Sequence, residues 1–396
     1  MYYLYLDTKI IGAAKQIVSF FASGIFATDT TTVLVKKYKH ASHAQICRIL
    51  ATAGIKYRVV NYADLDNLPG GYMFYPFNAQ SNCRAVANRR LVHTFITHGE
   101  SNKAASTKPI VRIYDHIITA GQAGIDRFLS SQILTPYDVQ TQKVFSWGNT
   151  FIGQTGLVPR QYFMPSGLES RDDLEAVCFY APTWEGGIAC ENYTSLAYAD
   201  KVVPVLVQAC QDYQVQHLIL RPHPNTGHRE KDYFIPFCQA LAKACQAQGI
   251  KFCLYTSQLK LSWWQKFKLQ RAGVQFIESL EYYQAAIAFC DVSAMETQLL
   301  NENTPHYVFY RQQDLNVIPP TINREAYLRH VLVFDQEQAL TLTPLNATDY
   351  KVFAQTQAYL INPRYNAIPL EQRLTHLVAH LDQLTPANLQ ERKNDA

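Results

Sequence analysis

The chain has little charge, little charge imbalance and no long apolar run, and each lack excludes something. Only 17% of its 396 residues are Asp, Glu, Lys or Arg, and 36 cations against 32 anions leave +4. That balance falls short of the basic excess of a protein built to coat nucleic acid, and nucleic acid is not expected as a partner. No window approaches the roughly 20 apolar residues of a membrane-crossing helix. The first residues, MYYLYLDTKIIGAAK, lack a basic stretch ahead of an apolar one, so no signal peptide is read and a cytoplasmic protein is expected. The nine cysteines are scattered without a C-x-x-C pair, which favours reduced thiols over a disulfide framework or a zinc site. No metal is expected.

What is present is apolar and aromatic: 48% hydrophobic residues, 12% of them Phe, Trp or Tyr as a share of the chain. That suffices for sizeable cores, and the length suggests two domains. Short β-branched or aromatic runs alternate with amphipathic stretches, the pattern of βα units around parallel sheets. Strands are expected at 31–36, 57–62, 71–77, 91–97 and 111–119, with helices at 41–53, 81–88 and 124–131. Between 145 and 169 the periodicity lapses amid four Gly and two Pro, and a hinge is placed there. A second series follows, with strands at 176–182, 217–221 and 251–256 and helices at 200–213, 233–248 and 281–289, and after 330–334 the tail turns helical. The domains expected are an acceptor-side domain over 1–160, a nucleotide-donor domain over 161–345 and a helical tail over 346–396, its leucines from Leu370 to Leu384 at helical spacing. Two such α/β domains suggest a cleft with ligands at the carboxyl ends of the strands.

Four segments carry chemistry, three of them at predicted strand ends. In FITHGESNKAAS, His98 follows an apolar strand, Gly99 lets the backbone turn, and Glu100 and Lys103 stand nearby. An imidazole there is a candidate general base; the plain alternative is a surface-loop histidine. In LILRPHPNTGHRE, Arg221, His223, His228 and Arg229 gather at a strand end stiffened by Pro222 and Pro224. With Thr226 and Gly227 as donors, they suit a phosphate or diphosphate. In AFCDVSAMETQLL, Asp291 and Ser293 lead into a helix with Glu296 three residues after the serine. This S-x-x-E reads as a capping box, and a helix start is also an anion site. In CFYAPTWEGG, Thr183 and Glu185 sit in a polar loop suited to holding substrate, with Trp184 as a packing residue.

Taken in order, H-G-E-S-N-K at 98–103, Y-D-H-I-I-T-A-G at 114–121 with Gly124, Asp126 and Arg127, Y-A-P-T-W-E-G at 180–186, R-P-H-P-N-T-G at 221–227 and D-V-S at 291–293 resemble the CDP-glycerol glycerophosphotransferase family of teichoic-acid and capsule-polymer enzymes. The likeness spans about residues 91 to 310 and departs from the pattern at Ala294, where many members carry a second hydroxyl. It implies a GT-B-like α/β fold of two Rossmann-type domains facing a cleft with C-terminal helices, and no bound cofactor. It further implies transfer of a polyol phosphate from a CDP-activated donor to a saccharide or lipid-linked polymer hydroxyl. By the same resemblance His98 is the base on the acceptor, and Arg221 and His223 hold the donor pyrophosphate. Ser293 and Thr297 face a phosphate from the helix start, and Gly99, Lys103, Thr183, Glu185, Thr226, Asp291 and Glu296 line the substrate.

Two other readings compete. A GT-B glycosyltransferase using CMP-activated sialic acid or Kdo also places an H-P turn and a hydroxyl-bearing helix start at its nucleotide, and a non-catalytic nucleotide-binding protein could keep the same fold. Finally, LKLSWWQKFKLQR at 259–271 mixes three aromatics with four cations. It suits peripheral contact at the inner face of the plasma membrane, although an ordinary packed amphipathic helix is the commoner outcome of such a pattern.

Overall fold

The computed structural model describes residues 1–97, 99–103, 107–164, 173–187, 189–257, 259–318 and 324–384. Two compact units emerge. The first comprises Met1–Glu100, Thr107–Gly153 and the chain from Ala358; the second comprises Gln154–Gln357 with the short segment Ser101–Ser106.

The first unit is built on β1 (Tyr2–Leu6), β2 (Thr31–Lys36), β3 (Tyr57–Val60), β4 (Gly71–Tyr75), β5 (Leu91–Phe95), β6 (His116–Thr119) and β7 (Val144–Ser146). Its helices are α1 (Ile11–Ala22), α2 (Ala41–Thr52), α3 (Tyr62–Asp66), α4 (Cys83–Val86), α5 (Gln122–Ser130) and α6 (Pro136–Gln140). The second unit carries β8 (Glu175–Ala181), β9 (His217–Leu220), β10 (Lys251–Tyr255), β11 (Gln275–Ile277), β12 (Tyr283–Asp291), β13 (His306–Tyr310) and β14 (Val331–Val333). Its helices are α7 (Ala199–Asp212), α8 (Phe234–Ala247), α9 (Trp263–Arg271), α10 (Ala294–Asn301) and α11 (Arg324–Leu328). Helix α12 (Ala347–Leu360) crosses from the second grouping to the first, and α13 (Leu370–Leu384) follows.

Both sheets are parallel, with orders β3-β2-β1-β4-β5-β6-β7 and β11-β10-β9-β8-β12-β13-β14. Each therefore runs outward from its first strand in one direction, then reverses, placing a switch point at β1/β4 and at β8/β12. The fold class is the one expected: two Rossmann-type α/β domains of the GT-B kind, with C-terminal helices.

The strands are apolar because helices cover both faces of the sheet. Along β1, Leu4 and Leu6 enter a cluster with Ile17, Phe20, Leu50 and the α13 residues Leu374, Leu377 and Leu381; Tyr3 and Tyr5 enter the opposite cluster with Met73, Tyr114 and Phe128. Each such side chain contributes about 1.5–3 kcal/mol on burial. The same cause explains a correction. Residues 281–289 were expected to be helical, but 283–291 form β12, the second sheet's longest strand, paired with β8 on one side and β13 on the other. A run buried on both faces has no alternation to reveal its period. Strands β1, β7, β11, β13 and β14 and helices α1, α3, α6 and α11 were not anticipated. Of 111–119, only 116–119 is strand, with a 3₁₀ turn at Pro109–Ile113 before it.

The units differ from the 1–160, 161–345 and 346–396 division: the break falls between Gly153 and Gln154, and the second unit runs on to Gln357. Segment 101–106 groups with the second unit, and α13 buries its leucines in the first.

Candidate functional site

The carboxyl edge of the second sheet gathers three of the four segments on adjacent strands, because β9, β8 and β12 are neighbours there. The loop after β8 links them. Its three successive residues Thr183, Trp184 and Glu185 each engage a different partner.

Thr183 engages Asp291 and Lys103. Its backbone N–H donates to Asp291 Oδ2 at 2.7 Å, and its Oγ1 accepts from Lys103 Nζ at 2.9 Å. Asp291, at the end of β12 and fully buried, also accepts from the Ser195 hydroxyl at 2.5 Å and the Ser195 N–H at 3.3 Å. Burial pushes its carboxyl up to about 7, against the hydrogen bonds from Ser195 and Thr183 and the charge of Lys103. Lys103, half-buried, is pushed down to about 8 by desolvation, opposed by Asp291, Glu191 and Asp314. Its ammonium lies 5.2 Å from the centre of the Tyr193 ring, and Arg311 lies 5.0 Å from the same ring. Arg311 is itself paired with Asp314 at 2.5 Å.

Trp184 engages His223, the two rings nearly parallel with centroids 5.9 Å apart. The Asn225 N–H donates to His223 Nδ1 at 3.1 Å, so the neutral ring carries its proton on Nε2. Two residues earlier, Arg221 donates from Nη1 to the Thr155 carbonyl at 2.6 Å; burial lowers its pKa, while Tyr255 and Glu302 raise it. Thr155 in turn donates its N–H to Glu302 at 2.7 Å and its hydroxyl to the same carboxylate. Burial raises Glu302 to about 7 despite those bonds and Arg221.

Glu185 engages the turn after His223. Its carboxylate accepts from the backbone N–H of Arg229 (2.6 Å), Glu230 (3.1 Å) and Gly227 (3.2 Å) and from the Tyr233 hydroxyl. Burial opposes ionisation, but Tyr233 and the backbone donors outweigh it and hold the pKa below its ordinary value. Arg229 is also committed, donating to the carbonyls of Glu185 at 2.6 Å and Gly186 at 3.1 Å. Gly186 has φ +70°, and a Cβ there would lie 2.5 Å from the Glu191 carbonyl oxygen, so the loop needs glycine at this point.

These contacts revise two expectations. Glu185, expected to hold substrate, is fully buried with both oxygens occupied, so it positions the 227–230 turn. The N–H groups of that turn, expected to face phosphate, face this carboxylate; Thr226 Oγ1 is buried without a hydrogen-bond partner. The capping box is also half realised. Ser293 caps α10, accepting from the Met295 N–H at 3.2 Å and donating to the Asp291 carbonyl at 3.1 Å. Glu296 turns inward instead, accepting from Asn102 Nδ2 at 3.3 Å and from the Tyr327 hydroxyl. Thr297, beside it in the first turn of α10, is 1% exposed.

In the first unit, His98 lies outside the described residues, between Thr97 (φ +58°) and Gly99 (φ +130°), whose carbonyl accepts from the Thr97 hydroxyl at 2.7 Å. Glu100 is buried, accepting from the Ala120 N–H at 2.8 Å and from Arg127. The Y-D-H-I-I-T-A-G segment thus anchors the loop after β5: Gly124 packs where a Cβ would sit 2.6 Å from Thr119 Cβ and 3.2 Å from Glu100 Oε1. An open groove of about 610 Å³ between α1 and α2, bordered by Lys15 and Arg48, contains none of the residues nominated from sequence. Among the described residues no group of three or more His, Cys, Asp or Glu is placed to hold a metal ion. No described helix is long and apolar enough to cross a membrane.

Sequence reasoning missed Ser195, Tyr193, Asn102, Tyr327 and Arg311. Arg311 immediately follows β13 and would have been nominated as a strand-end residue had that strand been recognised. Tyr193 and Ser195 lie in a loop with no motif, and nothing in their spacing signals them.

No family model matches the chain, and no curated protein matches it. Solved structures similar to it include S. aureus MnaA with UDP (10% identity, 96% of this chain and 95% of the other, TM-score 0.44). Others are UDP-GlcNAc 2-epimerase from Neisseria meningitidis bound to UDP-GlcNAc (11%, 97% and 100%, 0.44) and E. coli heptosyltransferase WaaC with ADP (10%, 91% and 99%, 0.34). The fold class rests on the sheet topology itself.

Proposed function

We propose that the protein is a transferase that moves a polyol phosphate, glycerol phosphate or a related unit, from a CDP-activated donor to a saccharide or polymer hydroxyl in capsule or cell-wall polymer synthesis. The observation that carries this reading is the convergence, at one switch point, of three loops whose residues resemble the donor-side motifs of the CDP-glycerol glycerophosphotransferase family. Thr183, Trp184 and Glu185 tie the β9 and β12 segments to the β8 loop.

In this reading the donor diphosphate meets Arg221, the Nε2 side of His223, Lys103 and the Ser293-capped start of α10. All of these favour an anion by charge or by N–H donation. The departing CMP is a phosphate monoester whose charge the same groups stabilise. Such a transfer depends on position and electrostatics more than on covalent help. His98 accepts the proton of the attacking acceptor hydroxyl. The new bond is acceptor oxygen to phosphorus of the polyol phosphate; the bond that breaks joins that phosphorus to the bridging oxygen, whose electrons leave with CMP.

The test is to incubate the full chain with CDP-glycerol, CDP-ribitol and CMP-sialate and a defined oligosaccharide acceptor, following CMP release and product mass. A product heavier by one polyol phosphate is expected from a CDP compound. Turnover of CMP-sialate alone would transfer the assignment to the glycosyltransferase alternative, and no turnover of any donor would leave a binding protein.

A further inference from the structure

Helix α9 does not pack as its sequence pattern would ordinarily suggest. Of its nine residues only Leu269 is buried, while Trp263 and Trp264 are 67% and 65% exposed and Phe267 41%. Exposure of three large rings on one short helix is costly in water and marks a contact surface. The helix is nonetheless well built, with a reciprocal Ser262–Gln265 capping box. Its rings also hold one another: Trp263 and Trp264 have centroids 4.4 Å apart at 70°, and Phe267 stacks on Trp263 at 5.8 Å and 14°.

The charges follow the rings. At about 100° per residue, Trp263, Phe267, Arg271 and Trp264 fall within an arc of about 100°, flanked by Lys266 on one side and Lys268 on the other, with Leu269 opposite. Lys260, Lys266, Lys268 and Arg271 are all exposed. From 233 to 277 the chain has six cations and no acid, which is a large local excess in a protein whose net charge is +4.

We infer that this face of α9 docks on an anionic lipid bilayer. Apolar rings at the centre of an exposed arc with lysines along both margins match an interfacial helix, whose rings enter the headgroup boundary while the cations meet lipid phosphates. A soluble polyanion such as a charged glycan suits the face less well. Trp263 is covered on one side by Phe267, and the rings stand together as an apolar wedge instead of spaced stacking platforms. The inference is independent of the donor chemistry proposed above.

It is tested by co-sedimentation of the full chain with vesicles of phosphatidylcholine alone and of phosphatidylcholine with phosphatidylglycerol, at low salt. Binding to the mixed vesicles at least about tenfold above the neutral ones is expected. Trp263→Ala with Trp264→Ala, or Lys266→Glu with Lys268→Glu, should each cut the partition about tenfold or more without moving the melting temperature, since these side chains face solvent. Should either double variant fail to fold, shielding of tryptophan emission from iodide when mixed vesicles are added to the unaltered chain gives the same reading. Equal partition of wild type and folded variants, no shielding, or retention by soluble polyphosphate without vesicle binding would overturn the inference. In each of those cases donor turnover in solution would be unaffected.

Discussion

Two backbone cradles lie in the second unit, and they have opposite fates. The turn after His223 presents the N–H groups of Gly227, Arg229 and Glu230, and the chain's own Glu185 carboxylate fills it. The start of α10 presents the N–H groups of a helix end, and a neutral serine caps it while the nearby acid, Glu296, turns away to Asn102 and Tyr327. Both look like anion sites in sequence. The difference teaches that donors alone do not define a ligand site; the side chain that already satisfies them does. One cradle is a structural clamp; in the proposed function the other, capped by a neutral serine, takes the donor phosphate.

The comparison can be broken most sharply at Glu185. Glu185→Ala removes the acceptor for four donors at once and should lower unfolding free energy by about 3–5 kcal/mol in chemical denaturation. Glu185→Gln should cost less. Because the folded pKa of Glu185 is depressed, its stabilisation is present above the ordinary glutamate range and is lost as pH falls through the folded value. The acid limb of the stability curve should therefore flatten in Glu185→Gln, and an unchanged limb would remove the clamp role.

Arg221→Ala should weaken donor binding by about 2 kcal/mol, the loss of a charge-assisted contact. Calorimetric titration with CDP-glycerol reads it; an unchanged affinity would move the diphosphate elsewhere. Ser293 sharpens the comparison further. Ser293→Ala should cost about 1 kcal/mol of stability through the lost cap. Ser293→Asp should retain the cap within a few tenths of a kcal/mol yet repel a phosphate, so thermal stability and donor affinity should separate in that variant. Affinity kept in Ser293→Asp would show that the α10 start holds no phosphate.

The smallest effect is one of pH. Lys103 loses its proton near 8, so donor affinity should decline as pH rises through that value, and Lys103→Arg should abolish the decline. The stability contributions have their own signs. Asp291, raised to about 7, favours folding below its ordinary pKa and loses that contribution as pH climbs to 7. Lys103, lowered to about 8, disfavours folding while protonated and ceases to do so as pH rises toward 10.5.

Much of this architecture was legible in the sequence because parallel strands flanked by amphipathic helices leave a strong alternation, as at 31–53 and 200–221. Strand β12 was not, because Ala285, Ala286, Ile287 and Ala288 are buried on both faces and carry no period. The site was legible where a residue follows a recognised strand, as Thr183 and Arg221 do, and at Asp291 because it leads into the helix that Ser293 caps. It was illegible where a role depends on which of two carboxylates reaches which N–H. Glu185 and Glu296 are alike in composition and setting, and tertiary packing alone sends one to the 227–230 turn and the other to Tyr327. Helix α9 was misjudged for a related reason: its pattern permits packing, but within its domain only Leu269 finds a partner surface.

The central claim is that the strand ends of the second unit hold the donor while His98 acts on the acceptor, and calorimetric titration of CDP-glycerol into wild type, His98→Ala and Arg221→Ala tests it most directly. Near-wild-type affinity in His98→Ala, with turnover reduced about 10²–10⁴-fold, beside weakened affinity in Arg221→Ala is the predicted result. Equal loss of donor binding in both variants, or in neither, would contradict it.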